Sequence, residues 1–242
     1  MNDDNNPILI IGHRGANKEA PENTLKSFRK AIELGADYIE FDLHESKDGV
    51  LVIMHDESTL RTTGYPGLIR NMTLDELKEL DCGEGEKIPT LNELIELAKG
   101  KINLQCEIKA SGIAEKLVDL LRQENLMEST IVSSFDHEEL KKIQKIEPRL
   151  KLAALEPSGV GWITDWVKKK NLIDDAISNN FYAIHPLYKL VNKDFIEYAN
   201  QNKLKVNPWT VDSKNAMKKL ISYGVDAIIT NDIAKLKKLL NR

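Results

Sequence analysis

The stretch Tyr38-Ile39-Glu40-Phe41-Asp42-Leu43 reads as a β-strand with two unlike faces. Side chains alternate across a strand, so Ile39, Phe41 and Leu43 share one face and Glu40 and Asp42 the other. The apolar trio is expected to meet helices, which sends the two carboxylates together toward the inside of the sheet near the strand's C-terminal end. Like charges so placed repel unless a cation or a proton compensates them. Asn103 to Lys109 repeats the arrangement, with Leu104, Cys106 and Ile108 on the apolar side and Gln105, Glu107 and Lys109 opposite.

Outward from these two segments, short apolar, β-branched runs recur between helical patterns, the signature of βαβ units and a parallel sheet. Strands are predicted at Ile8 to Ile11, Asp37 to Leu43, Asn103 to Lys109, Thr130 to Ser134, Leu150 to Leu155, Tyr182 to His185, Leu204 to Trp209 and Asp226 to Thr230. Amphipathic helices are predicted at Thr24 to Leu34, Leu91 to Lys99, Ile113 to Glu124, His137 to Ile146, Lys193 to Gln201, Ser213 to Tyr223 and Ile233 to Leu240. The regular repeat points to an α/β fold, a TIM (β/α)8 barrel, ahead of an open doubly wound sheet. Val50 to Met54 breaks the alternation: it follows a Lys47-Asp48-Gly49 turn and is expected to fold back antiparallel, delivering His55-Asp56 to the rim. Residues 57–89, rich in glycine around a short helix at Leu74 to Leu80, read as an insertion in a single domain spanning 1–242.

At 242 residues, 41% hydrophobic and 30% charged, the composition is that of an ordinary globular domain. A formal charge of −4 argues against nucleic acid and anionic lipid as partners, since both call for a basic face. An anionic small-molecule substrate then needs a local positive site. No run approaches the roughly 20 apolar residues of a membrane span. Cys82 and Cys106 read as buried thiols of a reducing compartment. Met1 to Asn6 is polar and acidic where a secretory leader is basic and then apolar, which makes the cytoplasm the expected location. Self-association into a homo-oligomer is left open.

Adjacent strand ends of a closed barrel converge on one mouth, so Glu40, Asp42 and Glu107 are candidate ligands of one divalent metal ion. Carboxylates suit Mg²⁺ or Ca²⁺ better than zinc. The competing reading is a structural ion-pair network with internal lysines and arginines. At the end of the first strand, His13 can exchange a proton near neutral pH and Arg14 offers a planar fork of donors to phosphate. His55, on the hairpin return, completes a potential acid–base pair with His13. Lys109 can hold an anionic oxygen beside the metal. Asn23 or Thr24 is read as a helix cap, with Glu22 favouring the helix dipole. His185 and Trp209, ending later strands, are expected to line the pocket. His44 is expected in the hairpin turn facing solvent, His137 at the surface, and Glu156 as a hydrated loop carboxylate.

In order and spacing, His13-Arg14-Gly15, Pro21-Glu22-Asn23-Thr24, Gly35-Ala36-Asp37 through Glu40-Phe41-Asp42, Lys47-Asp48-Gly49 and His55-Asp56 resemble the glycerophosphodiester phosphodiesterase family. Arg61-Thr62-Thr63-Gly64, Glu107-Ile108-Lys109, Trp209-Thr210-Val211 and Gly224-Val225-Asp226 to Thr230 continue the likeness along nearly the whole chain. The resemblance implies a TIM barrel that hydrolyses glycerophosphodiesters to sn-glycerol 3-phosphate and an alcohol with bound Mg²⁺ or Ca²⁺. It implies His13 and His55 as the acid–base pair, Glu40, Asp42 and Glu107 as metal ligands, and Arg14 and Lys109 as phosphate contacts. One departure is Ile233 after Thr230-Asn231-Asp232, where the family commonly has proline. A lysophospholipase D or phospholipase C acting on lipid from a related barrel is the rival enzyme. A catalytically inert, metal-dependent binding barrel is the non-enzymatic one.

Overall fold

The computed structural model describes residues 7–158 and 165–242; the reading of Met1 to Asn6 lies outside them. In chain order the elements are β1 (Leu9–Gly12), α1 (Leu25–Leu34), β2 (Tyr38–Glu45), β3 (Leu51–Ile53), α2 (Leu60–Thr63), α3 (Leu74–Glu79), α4 (Leu91–Ala98), β4 (Asn103–Ile108), α5 (Ala114–Gln123) and β5 (Thr130–Ser134). They continue with α6 (His137–Ile146), β6 (Lys151–Glu156), α7 (Trp166–Ser178), β7 (Ala183–Pro186), α8 (Lys193–Gln201), β8 (Lys205–Val206), α9 (Lys214–Tyr223), β9 (Ala227–Thr230) and α10 (Ile233–Leu239).

Parallel pairing runs β8-β7-β6-β5-β4-β2-β1-β9. The two ends of that path meet through backbone bonds from Asp226 N–H to the Val206 carbonyl (3.1 Å), Ile229 N–H to the Pro208 carbonyl (3.0 Å) and Val211 N–H to the Ile229 carbonyl (2.9 Å). Asp226 reinforces the seam, its carboxylate accepting from Val206 N–H and from Lys205 Nζ at 2.8 Å each. The fold is therefore a barrel of eight parallel strands with helices outside, as expected. The predicted return strand is β3, antiparallel to the end of β2 with Leu43 opposite Ile53 and Glu45 opposite Leu51.

Two buried layers follow from strand alternation. Ile39, Phe41, Leu43, Leu104, Cys106 and Val132 face outward into the helices, where Phe28 of α1 meets Phe41 edge to face at 6.4 Å. Burying each such side chain contributes about 1.5–3 kcal/mol. Inside the barrel, Ile11, Tyr38, Ile131, Ala153, Ala183, Ala227 and Ile229 fill the lower layer. Thr24 caps α1 in a reciprocal box with Ser27, and α1 ends at Gly35 with φ 75°. A cap of this kind is worth about 1 kcal/mol.

Within residues 57–89, Ile69, Leu77, Cys82 and Ile88 pack on Val52 and Met54, so this segment has its own small core against the hairpin. Cys82 and Cys106 are both buried thiols. α7, absent from the sequence expectations, buries only Ile173 and Ala176. β8 is shorter than the predicted Leu204 to Trp209 because Pro208 has no N–H to continue the ladder. Pairing resumes beyond it, where Trp209 N–H reaches the Pro186 carbonyl at 3.0 Å. Among the described residues no helix is long and apolar enough to cross a membrane.

Candidate active site

The parallel register of β2 and β4 sets Asp42 beside Glu107 and Glu40 beside Gln105. Strand alternation turns all of these inward, and carboxylate oxygens of Glu40, Asp42 and Glu107 all lie within 4.8 Å of one another. The first loop wraps this cluster: Arg14 N–H donates to Glu40 Oε2 at 2.8 Å, and Gly15 N–H to the Glu40 carbonyl at 3.2 Å. Gly15 has φ 83°, and a Cβ there would lie 2.4 Å from Ser27 Oγ, so the loop closes only on glycine.

Burial, then the charges of Asp42 and Glu107, push the Glu40 carboxyl well above its ordinary value. Burial and Asp42 likewise raise Glu107 to about 7, against the pull of Lys109. Asp42 behaves oppositely: burial opposes its ionisation, yet Lys109 and Arg14 beside it hold its carboxyl below the usual range. Lys109 Nζ contacts Glu107 Oε1 and lies 3.3 Å from Asp42 Oδ1, while Arg14 Nε is 3.4 Å from Asp42 Oδ2. The ion pairs of the competing reading are thus present beside a carboxylate trio that could hold a metal ion. Even so, burial, and after it the charge of Asp42, still keeps the Glu40 and Glu107 carboxyls above their ordinary values. No hydrogen-bond donor satisfies Asp42 Oδ1 among the described residues. Three buried carboxylates held this close are a cluster that could hold a metal ion among Glu40, Asp42 and Glu107.

Both histidines of the first two loops line a cleft of about 160 Å³ with Arg14, Glu40, Glu107, Lys109, Phe135 and Trp209. His13 Nδ1 faces Asn231 Oδ1 at 2.7 Å, which places the ring proton on Nδ1 and leaves Nε2 free. Burial, with Arg14 adding to it, lowers His13 to about 4, so its ring is neutral near pH 7. Asn231 is itself held by Asp212, whose Oδ2 accepts from its Nδ2 at 2.7 Å. His55 Nδ1 meets Asp56 Oδ1 at 2.6 Å. The apolar wall is Trp209 against Phe135, centroids 5.5 Å apart, with the indole N–H donating to the His185 carbonyl at 2.7 Å. A wider cavity, about 590 Å³, opens at the other end of the barrel around Tyr38, Lys205 and Asp226. Lys205 and Asp226 are spent on the seam there, whereas the carboxylates and histidines gather at the C-terminal mouth, where barrels of this kind generally carry their active sites.

The model of the glycerophosphoryl diester phosphodiesterase family matches residues 13–235. A glycerophosphodiester phosphodiesterase of Caldanaerobacter subterraneus subsp. tengcongensis is 40% identical over 247 residues, covering 97% of this chain and 98% of that protein. The chain belongs to the glycerophosphoryl diester phosphodiesterase family. As a member of it, the protein is an enzyme, a phosphoric diester hydrolase. Among solved structures, the glycerophosphodiester phosphodiesterase of Thermotoga maritima is 28% identical with a TM-score of 0.81, covering 96% of this chain and 98% of that one. A phosphodiesterase of Oleispira antarctica, solved in complex with the product sn-glycerol-3-phosphate, is 27% identical with a TM-score of 0.85, covering 98% of each chain.

Within this family member, His13, Arg14, Glu40, His55, Glu107, Lys109 and Trp209 meet at the cleft, and Asp42 lies at its base. His185 does not join them. It is fully buried below the cleft, with Gln105 Nε2 at 3.3 Å from Nδ1 and Asn207 Nδ2 at 3.0 Å from Nε2, and burial lowers it to about 3. A neutral ring carries one N–H, so one of these amides turns its oxygen toward it. The expectation that His185 lines the pocket is corrected accordingly: β7 points it into the barrel interior. His44 is also buried, at the end of β2, bonding the His55 carbonyl at 3.3 Å. Glu156 is 2% exposed and bonded by Ser158 N–H, with His137 Nε2 3.6 Å away. Four functional neighbours escaped the sequence reading. Asn23 donates to Asp42 Oδ2 at 2.8 Å, Asn231 and Asp212 hold His13, and Arg61 reaches Asp56.

Proposed function

We propose that this enzyme hydrolyses glycerophosphodiesters to sn-glycerol 3-phosphate and an alcohol, as one barrel domain, with one divalent ion, Mg²⁺ or Ca²⁺, held by Glu40, Asp42 and Glu107. The observation carrying this reading is the carboxylate trio within 4.8 Å, adjoined by Lys109 and flanked by two histidines whose Nδ1 atoms are both engaged. When bound, the ion supplies charge neutralisation at a nonbridging phosphate oxygen. Arg14 and Lys109 bind the remaining anionic oxygens and share the charge that grows on them during attack.

His13 and His55 exchange protons through Nε2, one accepting from the attacking group, either water or the glycerol 2-hydroxyl whose cyclic phosphate water then opens, and the other donating to the departing alkoxide. His13 is neutral near pH 7, a form able to accept. Trp209 and Phe135 present a flat apolar wall to the carbon skeleton of the substrate and exclude water from that side. The product bound by the Oleispira antarctica relative supports the substrate class.

A second reading keeps this chemistry but directs it to lysophospholipid. It is favoured by Leu60 and Tyr65, both about half exposed on segment 57–89. A coupled glycerol 3-phosphate assay tests the first reading, and choline release, with lysophosphatidic acid as co-product, tests the second. Glycerophosphocholine, glycerophosphoethanolamine, glycerophosphoglycerol and lysophosphatidylcholine are offered with EDTA and with added Mg²⁺ or Ca²⁺. Turnover of a water-soluble diester that EDTA abolishes and metal restores is the expected result. Turnover of lysophosphatidylcholine alone favours the second reading, and no metal-supported turnover of any diester rejects both.

A further inference from the structure

Arg61 sits on α2, outside the cleft, yet its guanidinium spans two carboxylates of the rim. Its Nε donates to Asp56 Oδ2 at 2.6 Å, and its Nη2 to Asp56 Oδ1 at 3.2 Å and to Glu22 Oε1 at 2.6 Å. Asp56 Oδ1 in turn accepts from His55 Nδ1 at 2.6 Å. Glu22 is shared, since Arg14 Nη1 donates to the same Oε1 at 3.0 Å. Glu22 therefore bridges two arginines instead of serving the helix dipole.

We infer that Arg61 is a positioning residue: by clamping Asp56 in a two-toothed fork it fixes the ring and tautomer of His55, and so couples segment 57–89 to proton transfer in the cleft. The inference rests on the acid–base role proposed for His55. Stability gives Arg61 little reason to be there. Its side chain is 48% exposed and those of Asp56 and Glu22 are 29% and 22% exposed, and ion pairs so close to water contribute about 0–1 kcal/mol. Geometry gives it more. A free aspartate beside a histidine rotates about two bonds, whereas two guanidinium bonds hold Asp56 in one rotamer, with its Oδ1 toward Nδ1, and a third bond, to Glu22, anchors the guanidinium itself.

The platform beneath Arg61 is built to hold still. Thr59, fully buried, donates its hydroxyl to the Tyr65 carbonyl at 2.6 Å, and Thr59 N–H reaches the Gly67 carbonyl at 2.9 Å. Ile69, buried in the small core of this segment, ties the loop down with its N–H on the Glu57 carbonyl at 2.9 Å. α2 is thus closed at its base before Arg61 leaves it. Lysine at this position keeps the charge but not the fork.

The test compares Arg61→Ala, Arg61→Lys, His55→Ala and the double variant Arg61→Ala/His55→Ala in the metal-loaded enzyme with glycerophosphocholine. Arg61→Ala is expected to lower kcat about 10–100-fold, the usual cost of losing an outer orienting partner. KM and Tm are expected to stay close to wild type, with Arg61→Lys falling between wild type and Arg61→Ala. In the His55→Ala background the same substitution is expected to cost nothing further, because the residue acts through that ring. Wild-type kcat in Arg61→Ala, while His55→Ala keeps only a small residual turnover, overturns this inference alone. A full additional loss in the double variant, or a loss of kcat that follows a fall in Tm, also overturns it. Wild-type turnover by His55→Ala overturns the acid–base reading and this inference with it.

Discussion

The side-chain amide of Asn23 donates to Asp42 Oδ2 at 2.8 Å from a backbone held at φ 56°, with its own N–H on the Arg14 carbonyl at 3.0 Å. Asparagine is among the few residues other than glycine that adopt this left-handed conformation readily. The loop thus sets a turn and orients a carboxylate with one side chain. With Oδ2 engaged by Asn23 and approached by Arg14, Oδ1 is the atom of Asp42 that turns to Lys109 and the cluster.

Removing that amide loosens the ligand set without blocking the turn. Asn23→Gly keeps the left-handed backbone and is expected to weaken Mg²⁺ or Ca²⁺ about 10–100-fold, with kcat recovering at saturating ion. A titration of activity against free metal reads this directly. An unchanged midpoint would show that Asp42 needs no such support.

Lys109 stands against two acidic side chains at once, and it should matter differently with and without metal. Lys109→Met leaves Asp42 and Glu107 less compensated, and breaking a buried pair costs about 3–5 kcal/mol. The metal-free variant is therefore expected to melt well below metal-free wild type, and divalent ion to restore much of the difference, while activity stays low because a phosphate contact is gone. Thermal melts in EDTA and in excess Mg²⁺ decide it; an equal deficit in both would mean the carboxylates do not share an ion.

The buried His185 predicts a pH dependence. Its folded value of about 3 lies below the ordinary 6.5, so the unfolded chain binds its proton first as acid is added. The stability it contributes is complete above pH 6.5 and is lost as pH falls from there toward 3. His185→Gln should flatten the fall in unfolding free energy over this window by about 1.4 kcal/mol per pH unit. Denaturant titrations from pH 4 to 7 measure the slope, and parallel curves for variant and wild type would contradict the assignment.

Much of this was legible in one dimension because strand alternation is short-ranged. Ile39, Phe41 and Leu43 against Glu40 and Asp42 show which way β2 faces, and Leu104, Cys106 and Ile108 do the same for β4. Register then brings Asp42 to Glu107 without any further signal. α7 escaped because its buried stripe is just Ile173 and Ala176 behind a Lys168-Lys169-Lys170 run, although Asp165, which caps it, was a usable cue. His185 was misjudged because the end of a barrel strand offers two directions, rim and interior, and the amides that receive it come from Gln105 of β4 and from Asn207 just beyond β8. Asn231 on His13, 218 residues away, and Arg61 on Glu22 join by folding alone, and no spacing encodes them.

Calorimetric titration of EDTA-treated protein with Mg²⁺ and Ca²⁺ tests the central claim most directly. One site per chain is predicted for wild type, with affinity rising toward pH 7 as Glu107 gives up its proton, and none for Glu40→Gln. Undiminished binding by Glu40→Gln, or full turnover by wild type that binds no ion, would contradict it.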